Sequence, residues 1–346
     1  MVQNLPLAYG CLDSIEEQQN HLIATGWLLR RDGPFDEFRV ELASGEILPA
    51  EIDVRPRLAE AIPQVTGAER GGFRARVPFP DRDCDEVEFT VVGLREGRPA
   101  GNLTVGYYRE RRPQTFPPEE VMRRANGNVR QSFWRATGIK ACHDLLRALT
   151  PHIDLDEVRR LLDWGCSAGR VTVHLIDRFP QAEVFGTDID VEAVEWASRN
   201  LTGGRFTPCH RDPPLPYPDS YFDLVVAVSV FTHLTRAYQE QWLKELQRVT
   251  AANAIVVAST HGEPACRWMF HQPGEWEKRM LTGFSDEIQD NGLGPVASGD
   301  YYRGTFQTVA YTRELWGQYF DVIVHDEGGL SNLQDIYVLR KKASAR

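Results

Sequence analysis

The sequence has no pair of cysteines at C-x-x-C spacing. Its six cysteines, at positions 11, 84, 142, 166, 209 and 266, are scattered. They suggest neither a zinc knuckle nor a disulfide framework, and reduced thiols are expected. No apolar run approaches the roughly eighteen residues of a membrane span. The opening MVQNLPLAYGCLDSIEEQQN lacks the basic patch and apolar stretch of a secretory signal. A cytoplasmic protein without a membrane span is expected. Cations are the scarcer charge: 39 Lys and Arg face 49 Asp and Glu, a net charge of −10. That balance disfavours a polyanion, and nucleic acid with it, as the main partner.

What is present divides in two. A chain of 346 residues is longer than a typical domain. From Gly10 to about Tyr108, short apolar and aromatic runs (HLIATGWLLR, EFRVELA, GGFRARVPF, EVEFTVVGL, NLTVGYY) alternate with turn segments such as RDGP and REGRPAG. This pattern predicts an all-β domain over 1–112, of sandwich type, with RPRLAEAIPQ as a short helical insertion. The basic, proline-bearing RERRPQTFPPEE reads as a solvated linker. Beyond it an α/β domain is expected over 113–346, beginning with a helical entry region, 113–150.

Within that domain RRLLDWG, AEVFGTD, RFTPCH, FDLVVAVSV and AIVVAST read as successive strands separated by helical stripes. The unbroken apolar run FDLVVAVSV suits a central parallel strand covered on both faces. Asp190 is a good N-cap for the helix that follows the second strand. YFDVIVHDE and LQDIYVLRK, separated by a short glycine-bearing loop, predict an antiparallel hairpin closing the sheet.

The decisive stretch is LLDWGCSAGR, which contains a G-x-S-x-G run from Gly165 to Gly169. A serine hydrolase would place its nucleophile, Ser167, on such a turn, but it also needs an oxyanion loop and earlier α/β strands upstream. Neither is present. A cofactor loop accounts for more residues. Asp163 ends the strand, small residues at 165, 167 and 169 allow close backbone approach, and a helix N-terminus follows. A second acid, Asp188, ends the next strand and suits a pair of ribose hydroxyls; a third, Asp212, suits an adenine amino group. A nicotinamide enzyme also uses a glycine turn and a later acid. Here the spacing is not G-x-G-x-x-G, and Asp163 would crowd a pyrophosphate.

LLDWGCSAGR, VFGTDIDVEAVEWA and RDPPLPYPDSYFDLVVAVSVFTHL together resemble the class I S-adenosylmethionine-dependent methyltransferases, over about Phe116 to Lys342. The resemblance implies a Rossmann-like seven-stranded mixed sheet and S-adenosylmethionine as cofactor. In its terms Asp163 and the backbone of Gly165, Cys166, Ser167 and Gly169 hold the amino acid part, Asp188 the ribose and Asp212 the adenine. Ile189 and Ser229 complete the cofactor set. Ser167 stands where the family more often has glycine.

Methyl transfer needs an aligned acceptor and, for an oxygen or nitrogen bearing a proton, a base. His233 and His261 each lie beyond a strand's carboxyl end, where open α/β sheets bind ligands, and are the catalytic candidates. A loop histidine bonded to backbone or water is the alternative for each. No metal is expected, since the carboxylates are assigned to the cofactor. DPP at 212–214 and Cys209 lie in the wrong strands for nucleobase chemistry. The aromatic segment 261–308, with Trp268, Phe270, Trp276, Tyr301 and Tyr302, reads as a lid or acceptor pocket; Phe133 and Trp134 are candidates to cover the cofactor. The N-terminal domain is loosely similar to β domains beside enzymes of surface-polysaccharide assembly. That similarity favours a glycan acceptor, a small molecule such as a secondary metabolite remains compatible with the sequence, and there is room for self-association or a partner bound through that domain. The alternatives carried forward are a non-catalytic cofactor-binding or scaffolding module and, remotely, a hydrolase using Ser167.

Overall fold

A computed structural model describes residues 8–79, 85–112, 115–270, 272, 274–297 and 299–342. The chain forms two units. One comprises Met1–Glu110 with Arg130–Asp144 and Ser331–Leu333; the other comprises Arg111–Val129, Leu145–Leu330 and Gln334–Arg346.

The first unit contains β1 (Tyr9–Gln18), β2 (His21–Leu29), β3 (Glu37–Leu42), β4 (Ile47–Asp53), the short helix α1 (Pro56–Ala61), β5 (Gly72–Pro78), β6 (Glu86–Arg95) and β7 (Arg98–Tyr108). All seven strands belong to one antiparallel sheet in the order β1-β2-β5-β4-β3-β6-β7. The period-two pattern explains its sidedness: in β5, Phe73, Ala75 and Val77 are buried while Arg74 and Arg76 face solvent. The expected sandwich of two separate sheets does not form among the described residues; the single sheet curls over its apolar face and brings β2 against β7. Part of the helical entry region also belongs here. In α3 (Gln131–Leu149), Ala136 and Ile139 are buried in this unit's core, so residues 130–144 group with the β unit rather than with the α/β domain expected from the sequence.

The second unit begins with α2 (Glu119–Asn126) and then alternates β8 (Arg160–Trp164), α4 (Thr172–Arg178), β9 (Glu183–Asp188), α5 (Val191–Asn200), β10 (Gly204–Pro208), β11 (Phe222–Ala227), α6 (Arg236–Val249) and β12 (Thr250–Thr260). The segment α7 (Glu263–Met269), α8 (Glu275–Met280), β13 (Phe284–Gln289) and β14 (Arg303–Gln307) follows, with β13 and β14 pairing separately. Helix α9 (Val309–Trp316) leads into β15 (Phe320–Leu330) and β16 (Gln334–Lys341). The main sheet has the order β10-β9-β8-β11-β12-β16-β15. Its first five strands are parallel, and β16 runs antiparallel to both β12 and β15, as the hairpin pattern predicts. The central strands are apolar on both faces because helices cover both, with Leu162, Val225, Val256, Trp242, Trp316 and Tyr337 in one core. Chain order reverses between β8 and β11, which opens a crevice at their carboxyl ends.

No described helix is long and apolar enough to cross a membrane. Cys11, Cys142, Cys166, Cys209 and Cys266 are free thiols; Cys84 lies outside the described residues.

Candidate active site

The loop after β8 is held open by backbone conformations that few residues adopt. Gly165 and Gly169 have φ of 82° and 81° and Ser167 has 48°, all in the left-handed region. Space is limiting too. A Cβ on Gly165 would lie 2.3 Å from Val230 Cγ2, and one on Gly169 would lie 2.3 Å from Leu201 Cδ1. The N–H groups of Gly165 and Cys166 both donate to Thr187 O, tying the loop to β9.

Two acids face this loop. Asp163, 2% exposed, accepts a 2.6 Å bond from Thr172 Oγ1. Burial pushes its carboxyl up to about 6, with the Thr172 bond pulling the other way. Asp188 accepts from Ser167 N–H on one oxygen and from Asp190 N–H on the other, each at 2.8 Å. Burial raises its carboxyl as well, against those backbone donors. Each carboxylate oxygen has a second lone pair, so Asp188 is fixed in place yet can still accept from a ligand.

One cavity collects most of the residues singled out from the sequence. Asp163, Gly165, Cys166 and Ser167 line it on the β8 side, Asp188 and Ile189 on the β9 side, and Ser229 and His233 beyond β11. The Ser229 N–H donates to Ser259 Oγ at 2.8 Å. The Gln334 side chain bridges the two serines, donating to Ser229 Oγ at 2.9 Å and accepting from Ser259 Oγ at 2.7 Å.

Three expected site residues lie elsewhere. Asp212 is exposed and pairs with Arg211 at 3.3 Å. Strand β10 ends at Pro208, so Cys209 takes the lining position and the chain has turned outward by Asp212. Gly169 does not line the cavity; its lack of a side chain makes room for Leu201. His261 sits outside the lining, 8% exposed, with Nδ1 3.2 Å from Thr305 O and its ring stacked on Phe306. Burial pushes it down to about 3, so it is a neutral packed ring. His233 faces the cavity instead, its ring stacked at 4.1 Å on Tyr302.

The cavity also contains residues that sequence reasoning missed. Arg124 of α2 forms a 2.8 Å ion pair with Asp190, and both side chains are nearly buried. Asp190 also caps α5, accepting from Ala193 N–H at 3.2 Å, as its sequence position predicts. Arg124 and Ala125 line the cavity where Phe133 and Trp134 were expected to. Tyr301 and Tyr302, flagged within the aromatic segment, do line it, and Leu293 joins them. Phe270 and Trp276 are instead covered by Arg279 and Arg267. Among the described residues no histidine hydrogen-bonds to Ser167, so a serine nucleophile lacks its base.

Sheet order and site together resemble those of class I S-adenosylmethionine-dependent methyltransferases. Residues 161–253 match the family model described as a methyltransferase domain. The chain is 26% identical to a trans-aconitate 2-methyltransferase of Azoarcus sp. over 186 residues, 53% of this chain and 70% of that protein. It is 27% identical to a malonyl-[acyl-carrier protein] O-methyltransferase of Halalkalibacterium halodurans over 190 residues, 51% of this chain and 61% of that protein. A solved S-adenosylmethionine-dependent methyltransferase of Methanosarcina mazei aligns at a TM-score of 0.42 with 20% identity, over 56% of this chain and 96% of that one.

Proposed function

We propose that the cavity holds S-adenosylmethionine and that the protein transfers its methyl group to oxygen on a small-molecule or glycan acceptor. The donor set fits that cofactor. Buried Asp163 is an anion suited to an ammonium group, the Gly165–Ser167 backbone admits a close ligand, and Asp188 offers acceptors to vicinal hydroxyls. Ile189 and Cys209 supply the less polar wall for a base. When bound, the cofactor supplies a methyl group on positively charged sulfur. The chain's own task is then to hold the acceptor in line and remove its proton. His233 is the base in this reading. Burial pushes the Cys209 thiol up to about 12 and raises the Tyr302 hydroxyl further, so both stay neutral.

The observation that carries the reading is Asp188, anchored by two backbone donors at the end of β9 while lining the same cavity as Asp163. Calorimetric titration of S-adenosylmethionine and S-adenosylhomocysteine into wild type and Asp188→Ala tests it. Losing a charge-assisted bond to two hydroxyls is expected to weaken binding about ten- to a hundredfold, roughly 1.5 to 3 kcal/mol. No binding by folded wild-type protein would remove the proposal.

A further inference from the structure

We propose that Asp290 is a positioning residue for His233, and that the pair selects an acceptor whose reacting oxygen carries a proton, a hydroxyl rather than a carboxylate. The inference rests on the methyl-transfer reading above and names its acceptor class.

The imidazole is held on three sides. Asp290 Oδ2 and Arg303 O each lie 3.2 Å from His233 Nδ1. Both are acceptors without a proton to give, so Nδ1 carries the hydrogen and Nε2 keeps its lone pair. The Tyr302 ring lies parallel to the imidazole within 11° and fixes its plane. Among the described residues Nε2 has no hydrogen-bond partner, and His233 lines the cavity. Asp290 is itself oriented, its Oδ1 accepting from Gly292 N–H at 2.7 Å just beyond β13. The hydrogen bond from His233 holds the Asp290 carboxyl below its usual range despite partial burial.

This arrangement removes a proton. As the acceptor's O–H bond breaks, the proton passes to Nε2, and the oxygen forms its bond to the methyl carbon. The electron pair of the broken carbon–sulfur bond stays on sulfur, which becomes neutral. The imidazolium beside Asp290 carboxylate is stabilised as it forms, and it later releases the proton to water. A carboxylate acceptor is already ionised near neutral pH and has no use for such a base. Trans-aconitate and the malonyl group, in the names of two relatives, are carboxylates of that kind. The chain thus combines a shared cofactor fold with a base that carboxylate chemistry does not need.

The test uses full-length protein with 15N-labelled histidine, saturated with S-adenosylhomocysteine, with His233→Gln assigning the resonances. The expected result is a His233 protonated at Nδ1 and bare at Nε2. The opposite tautomer overturns the proposal. Radiolabelled S-adenosylmethionine is then offered with para-substituted phenols and, separately, with trans-aconitate and malonate monoesters. Label is expected in alkali-stable ethers. Label confined to alkali-labile methyl esters of the carboxylates overturns the acceptor class. On a methylated phenol, Asp290→Asn should lower kcat about ten- to a hundredfold, with KM and cofactor affinity unchanged. The deficit should shrink as the phenol becomes more acidic, and Asp290→Glu should restore part of the rate. A purely structural Asp290 would give a deficit independent of phenol acidity. Failure to bind S-adenosylhomocysteine is a separate result: it removes the methyl-transfer reading and leaves the tautomer measurement standing.

Discussion

The two seven-stranded sheets of this chain use their strand ends in opposite ways. In the first unit every neighbouring pair is antiparallel, so carboxyl ends alternate between the two edges and no edge collects them. The second sheet has five parallel strands, so the residues at or just beyond the carboxyl ends of β8, β9, β10 and β11 emerge along one edge. Asp163, Asp188, Cys209 and Ser229 line one cavity for that reason. Strand direction, more than composition, decides which sheet gathers polar groups: both sheets are apolar inside, and among the described residues the parallel one brings Asp163 and Asp188 to one cavity.

Damage to one sheet at a time separates packing from binding. The largest effect is expected from Phe73→Ala. Phe73 is fully buried in the first core, and truncation there should cost about 3 to 5 kcal/mol. Denaturant unfolding followed alongside S-adenosylhomocysteine titration checks it, with cofactor affinity expected to stay within about twofold. An equal loss of affinity would break the division between a packing sheet and a binding sheet.

Asp163→Asn should act in the reverse sense. The carboxyl moves from its ordinary 3.8 up to about 6 in the folded protein, so the folded state holds the proton more tightly than the unfolded chain does. Its contribution is fully present below pH 3.8 and is lost as pH rises through 6. At neutral pH the ionised group therefore destabilises the cofactor-free fold, by up to about 3 kcal/mol. The asparagine variant should melt higher than wild type at pH 8, lose that advantage near pH 4, and bind the cofactor poorly. A lower melting temperature at pH 8 would contradict the burial argument.

Ser167→Gly tests the loop more gently. Glycine adopts the left-handed conformation without penalty, so a gain of roughly 1 kcal/mol is expected, with cofactor binding retained. An enzyme using Ser167 as nucleophile would lose all turnover instead. The smallest effect belongs to Asp212→Ala, exposed and outside the cavity, which should change cofactor affinity by less than about 0.5 kcal/mol.

Much of the second sheet was legible because its signals are local. Apolar runs marked the strands, and an acid at a strand's end, as at Asp163 and Asp188, inherits its place from the strand. Asp212 misled because the strand stops at Pro208, and a few residues of extra turn move a side chain from cavity to surface. Arg124 and Asp290 carried no such signal. Each matters through a partner distant in sequence, Asp190 and His233 respectively, and no short motif encodes that meeting. The first unit is legible as all-β, but its strand pairing is not, for a related reason. Turn residues show where strands end, but not that β2 pairs with β5 across two intervening strands.

The bridge from Gln334 to Ser229 and Ser259 also sets an order of events during synthesis. Because β16 runs against its neighbour β12, its first residue, Gln334, arrives at the edge where the parallel strands end. A polypeptide leaves the ribosome amino end first, and domains form as their segments emerge. The acids, the loop and both serines are therefore all made before the amide that joins the serines. A nascent chain can fold most of the cavity early, but Ser229 and Ser259 are bridged only once β16 pairs with β12.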